Sequence, residues 1–205
     1  MNTLDKLIAA FEKFPGVGAR QAKRFAFHVL TMNEGDSSEL SRLVADLKGS
    51  VVECVSCHRF FATTTGNTCS ICTSANRDHN RLLVVERDSD IQAIERAGVY
   101  DGLYFVLGGT VPLLNVTDNS KLRGGLLKAT IETRLKDGLS EIILGFSINP
   151  DGENTARFVE SIIKSVTESS SVKISHLGRG LSTGSELEYA DPDTIKNALQ
   201  NRYTG

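Results

Sequence analysis

The chain has four cysteines, and they form two CxxC pairs: Cys54 with Cys57, and Cys69 with Cys72. Two residues between the cysteines of a pair let both thiolates turn toward one point, and two such pairs supply the four sulfur ligands that tetrahedral Zn²⁺ prefers. The spacer, residues 58–68, contains a Thr- and Gly-rich stretch that predicts a turn. We therefore predict a structural zinc finger over residues 51–78.

Two disulfides or a redox-active CxxC are the alternative interpretations of these cysteines. Disulfides belong to oxidising compartments. The N-terminal sequence lacks the charged region and following apolar run of a signal peptide, so we do not expect the chain to reach such a compartment. A redox CxxC stands alone rather than doubled. Four sulfur ligands leave no open position for a catalytic water, so we expect His58 and His79 to be bystanders beside a structural ion.

Length and composition predict an ordinary globular protein of one or two domains. The chain has 205 residues, of which 40% are hydrophobic and 23% charged, and its net charge is −2. No apolar stretch approaches the roughly 20 residues that span a bilayer. We expect a soluble, cytoplasmic protein. The small net charge does not exclude nucleic-acid binding, because a value averaged over the chain hides local patches of positive charge.

Residues 1–50 predict three helices. Apolar residues recur at helical spacing in the first, a Pro-Gly-Val-Gly turn follows at 15–18, and a second amphipathic helix begins at Ala19. A third helix is predicted from Ser38 to Lys48, and the side chains that we expect it to turn inward are Leu40, Leu43, Val44 and Leu47.

Helix, glycine turn and helix together predict a helix-hairpin-helix motif that binds DNA. Gly16 and Gly18 let the backbone approach a phosphate closely, and the N-terminus of the second helix carries a partial positive charge. The second helix adds full positive charges for neighbouring phosphates, from Arg20, Lys23 and Arg24. These cations lie on the face opposite its apolar residues, and Phe27 shares that face. The alternative is a helical hairpin whose cations are merely solvated.

From residue 79 to residue 177 the pattern changes to alternating strands and helices. Apolar runs predict strands at 82–85, 103–107, 141–146 and 172–177, with amphipathic helices between them. Such alternation predicts a parallel α/β sheet, whose ligands bind at the carboxyl ends of the strands. Glu86 and the loop from Ser147 to Glu153 are predicted to lie at that edge.

This α/β segment resembles the Toprim fold of topoisomerases and primases. That family places a Glu after the first strand, which Glu86 matches, and an Asp-x-Asp after a later strand. Ser147 and Asn149 occupy the two Asp positions here, although Asp151 and Glu153 remain nearby. Because two-metal phosphoryl chemistry needs carboxylate charge on hard cations, we expect the sheet not to be catalytic.

The whole chain resembles the bacterial RecR family of recombination mediators. The resemblance is carried, in this order, by residues 14–26 around the glycine turn, the four cysteines, Val84–Glu86, Gly152–Ala156, and the C-terminal stretches 178–181 and 184–191. It implies a helix-hairpin-helix region (1–50), a zinc finger (51–78), a Toprim domain (79–177) and a short C-terminal segment (178–205). No GxxxxGK[ST] motif is present, so we predict no ATP site.

The resemblance implies a non-catalytic DNA-repair protein of the cytoplasm, associated with the nucleoid. Its expected partners are DNA, RecO and in many bacteria RecF, and indirectly RecA and single-stranded DNA-binding protein. The family implies a ring-shaped homotetramer around DNA. It also implies a RecO-docking face formed by Glu86, Ser147, Asn149, Asp151 and Glu153.

Two alternatives from other classes stay open at this point. The first is a Toprim-type, metal-dependent nuclease or primase accessory enzyme, which the residues Ser147 and Asn149 disfavour. The second is a structural scaffold whose basic helix face never contacts DNA.

Overall fold

The computed structural model describes residues 1–63, 65–113, 122–167, 170–178, 180–181, 184 and 186–201. Arg179 and Ser185, which belong to the C-terminal stretches that carry the family resemblance, lie outside the described residues. The chain divides into two compact units, residues 1–52 with 62–64 and residues 53–61 with 65–205. None of the described helices is both long and apolar enough to cross a membrane.

The first unit is helical. Its elements are α1 (Thr3–Phe11), α2 (Ala19–Thr31) and α3 (Glu34–Ser50). Helix α1 begins with a capping box, because the Asn2 side chain accepts the Asp5 N–H at 2.8 Å and the Asp5 carboxylate accepts the Asn2 N–H at 3.2 Å. Ala22 and Ala26 are fully buried on α2, so their small side chains let α1 and α2 pack closely.

The prediction for the third helix is wrong in its bounds and in the burial of its apolar face. Helix α3 runs from Glu34, where the Asn33 side chain caps it by accepting the Asp36 N–H at 2.9 Å, and is longer than predicted. The side chains that we expected to be inward are 39% to 67% exposed, and they are Leu40, Leu43, Val44 and Leu47. The physical reason is that helical periodicity identifies an apolar face without specifying what covers it.

The second unit contains a four-stranded sheet. The cysteine-bearing segment before it contributes β1 (Val51–Glu53), β2 (Phe60–Ala62) and the short helix α4 (Ser70–Thr73), and β1 pairs with β2. The remaining elements are β3 (Asp78–Val85), α5 (Asp88–Ala97), β4 (Gly102–Val106), α6 (Gly124–Lys136), β5 (Glu141–Gly145), α7 (Pro150–Thr167), β6 (Lys173–His176), a 3₁₀ turn (Leu187–Tyr189) and α8 (Pro192–Gln200).

The strand order is β4-β3-β5-β6, and every neighbouring pair is parallel. Each crossover between successive strands contains one of the helices α5, α6 and α7, as expected for parallel strands. The predicted fold class is therefore confirmed. The buried run Leu82–Val85 in β3 is covered on both faces, which explains its continuous apolar sequence.

The register of the sheet brings three strand ends together. Val85 at the end of β3 is opposite Val106 of β4 and Gly145 of β5. The residues that follow these strands therefore meet at one edge, where Glu86 continues from β3 and Ser147 lies two residues beyond β5.

Candidate functional sites

The turn between α1 and α2 holds a glycine in a conformation that other residues avoid. Gly16 has φ +77°, in the left-handed region, and a Cβ at this position would meet nothing within 4 Å. The turn closes through the Val17 N–H, which donates to the Phe14 carbonyl at 3.0 Å. Gly16 is thus required by backbone conformation, and the space beside it is open.

Gly18 is the residue at which α2 begins. Its carbonyl accepts the N–H groups of Gln21 and Ala22, both at 3.0 Å, and no side chain caps the first turn of the helix. The first N–H groups of a helix lack intrahelical partners and carry a partial positive charge. A Cβ at Gly18 would also meet nothing within 4 Å, so this helix start is accessible to an anion.

The predicted cations lie on the exposed side of α2. Arg20, Lys23 and Arg24 are all exposed, and none of them takes part in an ion pair with another described residue. Arg24 makes one weak contact, from Nη1 to the Gln21 side-chain oxygen at 3.4 Å. Helix α2 contains no acidic residue, so this face attracts anions.

Aromatic contacts hold the hairpin together on the other side of α2. The Phe11 ring packs edge-on against Phe25, with the ring centroids 5.9 Å apart, and against Phe14 at 5.8 Å. Phe11 belongs to α1 and Phe14 to the turn. The hairpin is therefore held by its apolar side, which leaves the cations facing outward.

The four cysteines form a group that fits a metal ion. Their sulfur atoms lie within 4.8 Å of one another, and the sulfurs of Cys57 and Cys69 are 3.6 Å apart. A tetrahedral site with bonds of about 2.3 Å places its sulfurs about 3.8 Å apart, whereas a disulfide bond is about 2.05 Å long. All four thiols are free, so the segment is a metal-binding cluster rather than a pair of disulfides.

The thiols also influence one another electrostatically. Hydrogen bonds from Cys57 and Cys72 lower the pKa of Cys69, whereas the hydrogen bond to Cys69 raises the pKa of Cys57. Crowding of this kind favours a cation at the centre, because metal ligation requires thiolates and a cation stabilises several of them at once.

His58 has a structural contact of its own. Its Nδ1 lies 2.7 Å from a carboxylate oxygen of Glu53, and its ring packs edge-on against Phe105 at 5.1 Å between centroids. Hydrogen bonds from His58 and Arg123 lower the pKa of Glu53, although burial opposes them. His58 has φ +62°, which places it in a tight turn directly after the first cysteine pair.

The metal-binding segment is joined to the sheet by specific hydrogen bonds. The Val106 N–H donates to the Cys57 carbonyl at 2.8 Å. Arg123 links the ends of β4 and β1, because its Nη1 donates to the Val106 carbonyl at 3.2 Å and its Nη2 donates to the Glu53 carboxylate at 3.1 Å. Arg134 also donates to the Ser56 hydroxyl at 3.1 Å.

Sequence reasoning missed Glu53 and Arg123. Their separation of 70 residues leaves no local pattern that would pair them.

At the edge where the carboxyl ends of β3, β4 and β5 meet, which we call the Toprim edge after the resemblance, Glu86 contacts Ser147, one of the two residues at the expected Asp positions. Its carboxylate accepts the Ser147 N–H at 2.7 Å, and Glu86 is buried. Asn149 has a different role, since its side-chain oxygen accepts the Gly152 N–H at 2.8 Å and caps the start of α7. A Cβ on Gly152 would lie 1.9 Å from the Ser147 carbonyl oxygen, so this turn requires glycine.

The start of α7 binds the loop that follows β4. The Asp151 carboxylate accepts the Leu113 N–H at 2.9 Å, and the Thr155 hydroxyl accepts the Val111 N–H at 2.8 Å. Asn154 donates to the Val111 carbonyl at 3.2 Å. Asp151 is therefore engaged in holding a loop, a role that the sequence pattern does not predict.

Glu153 forms an ion pair within its own helix. It pairs with Arg157 one helical turn further along α7, at 3.8 Å. In the part of the chain that the structure describes, the cysteine quartet is the only group of three or more metal-ligating side chains. The structure thus brings Glu86 to Ser147 but does not gather the acidic residues of this edge into a cluster.

Comparison with known families defines the class of protein to which these elements belong. Residues 4–47 match a family described as RecR, helix-hairpin-helix; residues 80–177 match the Toprim domain; and residues 180–203 match RecR, C-terminal. Along the chain the matches thus run from a helical hairpin through a Toprim sheet to a C-terminal segment, and the first and last of them are described as RecR.

Full-length relatives agree with these matches. The chain is 36% identical over 198 residues to the "Recombination protein RecR" of Lactobacillus helveticus, covering 96% of this chain and 94% of the relative. It is 35% identical to that of Lactobacillus acidophilus, with 97% and 95% covered, and 34% identical to that of Staphylococcus aureus, with 97% and 96% covered. The chain therefore belongs to the RecR family of recombination proteins.

Proposed function

We propose that this protein is a non-catalytic, DNA-binding recombination mediator that assists RecO, and RecF where present, in loading RecA onto single-stranded DNA at gaps. Membership of the RecR family supports a role in recombination. One observation carries the DNA-binding part, namely the group of exposed cations without ion-pair partners among the described residues, beside a helix start that no side chain caps.

The hairpin offers two kinds of contact to a phosphate. The N-terminus of α2, reached past Gly16 and Gly18, supplies backbone N–H groups and a partial charge. Arg20, Lys23 and Arg24 supply full charges for neighbouring phosphates. Contacts of this kind hold the sugar-phosphate backbone without reading sequence, which suits a protein that acts wherever a gap occurs.

Assembly multiplies this attraction. The family resemblance supports a ring-shaped homotetramer, in which four hairpins would surround the DNA. Four copies of a cationic face produce a strong local field even though each chain carries a net charge of −2.

The Toprim edge is proposed to bind a protein partner rather than to react. Glu86 accepts a backbone hydrogen bond, Asn149 caps α7 and Asp151 holds a loop. Each of these groups already has a structural partner, which disfavours the assembly of two Mg²⁺ ions, and the docking of RecO at this edge rests on the family resemblance. Ser147 and Glu153 complete the proposed docking face.

The metal held by the four cysteines is proposed to be Zn²⁺ in a structural role. Four thiolates form the donor set that Zn²⁺ prefers, and they fill every position of a tetrahedron. When bound, the ion would fix the turn of Cys57, whose carbonyl accepts a hydrogen bond from the end of β4.

The DNA-binding proposal is tested by reversing charges on α2. We expect Lys23→Glu with Arg24→Glu to weaken binding to single-stranded DNA and to reduce the slope of log affinity against log salt by about 1.4, from about 0.7 per lost phosphate contact. The measurement is fluorescence anisotropy of labelled DNA at several salt concentrations.

A matched control separates the site from net charge. Lys128→Glu with Lys136→Glu makes the same charge change on the exposed surface of α6, and we expect it to leave the salt slope almost unchanged. Unchanged binding by the α2 variant, or equal losses in both variants, would contradict the proposed contact.

A further inference from the structure

An exposed aromatic ring lies at the C-terminal end of the cationic face of α2. Phe27 follows Arg24 by three residues and Lys23 by four, and residues with these spacings are neighbours on one face of a helix. Its side chain is 52% exposed. The face therefore combines positive charge with an accessible ring.

Phe27 does not serve the core of the hairpin. The ring contacts that join α1, the turn and α2 involve Phe11, Phe14 and Phe25. Among the ring contacts between described residues, none includes Phe27. The buried side of α2 is formed by Ala22 and Ala26, on the opposite side of the helix.

The surrounding charges indicate what covers this ring. A second copy of the same face would bring its cations against those of the first, which like-charge repulsion disfavours. A polyanion with flat apolar groups would instead satisfy both features. Single-stranded nucleic acid has this chemistry, because its phosphates pair with cations and its unstacked bases stack on aromatic rings.

Duplex DNA cannot use the ring in the same way. Its bases are stacked on one another, and a helix that contacts the backbone reaches phosphates rather than base faces. Lys23 and Arg24 attract both forms of DNA, whereas Phe27 contributes only where a base is unpaired. The ring is thus a means of distinguishing single strands from duplex.

We propose that Phe27 stacks on an unpaired base of single-stranded DNA while Lys23 and Arg24 bind the flanking phosphates, so that α2 favours single strands. This inference rests on the proposed DNA-binding function and adds the form of DNA that the same face selects.

The test compares Phe27→Ala with the unaltered full-length chain, using a labelled oligothymidylate and a blunt duplex of equal length. Loss of one stacked base lowers affinity by about 5- to 150-fold, so we expect that loss for the single strand and no change for the duplex. The salt slope should stay the same, because no charge is removed. Leu30→Ala, at an exposed apolar position on the same helix, is the matched control and should bind both DNAs normally.

A second variant reports on stacking directly. The chain has no tryptophan, so Phe27→Trp introduces a single tryptophan, whose fluorescence can be excited selectively and whose side chain retains an aromatic face. We expect this variant to bind the single strand as the unaltered chain does, and its fluorescence to be quenched by oligothymidylate but not by duplex.

Three outcomes would overturn the inference. The first is an equal loss of single-strand and duplex affinity in Phe27→Ala, and the second is no loss of affinity in that variant. The third is a fall in the solution mass of Phe27→Ala, which would assign the ring to contact between copies of the chain. These outcomes are separable from failure of the proposed function. If charge reversal at Lys23 and Arg24 weakens binding and Phe27→Ala does not, only the stacking inference fails.

Discussion

The buried carboxylate of Glu86 accepts a hydrogen bond of 2.7 Å from the backbone N–H of Ser147. In the Toprim resemblance these two positions would both hold Mg²⁺, yet here they are linked to each other. A carboxylate oxygen that accepts a backbone N–H is less available to a metal ion, and Ser147 adds no negative charge.

We accordingly expect no metal-dependent cleavage of DNA by this protein. The full-length chain is incubated with single- and double-stranded DNA in Mg²⁺ or Mn²⁺, and the products are separated by electrophoresis. Glu86→Gln should not change the result. Metal-dependent cutting that disappears in Glu86→Gln would favour the nuclease alternative.

Gly152→Ala is expected to destabilise the second unit by about 1–3 kcal/mol or more, as overpacking does. The added Cβ would lie 1.9 Å from the carbonyl oxygen of Ser147, which is backbone and cannot rotate away. The measurement is the free energy of unfolding from urea titration followed by circular dichroism. Gly125→Ala in α6, where a Cβ meets nothing within 4 Å, is the control and should be neutral or slightly stabilising. Equal effects of both substitutions would refute the steric argument.

Cys54→Ser should abolish metal binding and loosen the cysteine-bearing segment. Metal binding and folding share one free energy, about 10–16 kcal/mol in zinc-finger peptides, although here contacts with the sheet retain part of the structure. Metal content by atomic spectroscopy and hydrogen exchange of residues 54–72 report the two effects. His58→Asn is the matched control, because it changes the contact with Glu53 without removing a sulfur ligand. Asn also tolerates the positive φ of this position. A metal-free Cys54→Ser chain of normal stability would contradict the structural role.

Acid is expected to weaken the protein partly through Glu95. Hydrogen bonds from Arg77 hold the pKa of this carboxyl below its ordinary value of 4.5, and the Tyr104 hydroxyl contributes with a 2.6 Å hydrogen bond. Because the folded pKa is lowered, the unfolded chain binds the proton more tightly. The stabilisation is therefore complete above about pH 4.5 and is lost as the pH falls through the folded pKa.

Glu95→Gln removes this contribution. The free energy of unfolding of the Glu95→Gln variant should lie below that of the unaltered chain at neutral pH. The difference between the two free energies should shrink as the pH falls below 4.5. Urea titrations across the acid range measure both curves. Parallel curves would show that the Arg77 contact does not couple to folding.

Much of this protein follows from local patterns in its sequence. The cysteine spacing predicts a four-sulfur cluster, because two ligands with two residues between them turn toward one point whatever surrounds them. The alternation of apolar runs with amphipathic helices predicts the parallel sheet, and Gly98 ends α5 in the left-handed conformation, as its position after the predicted helix indicates. Each of these inferences depends on residues close together in the chain.

The tertiary structure decided which distant groups meet. It paired Arg123 with Glu53, engaged Asp151 with the Leu113 N–H, and left Leu43 and its neighbours on α3 exposed. A sequence pattern specifies the direction and chemistry of a side chain relative to its own helix or strand. The partner of that side chain depends on how the chain crosses over between strands, and that arrangement is a property of the whole fold.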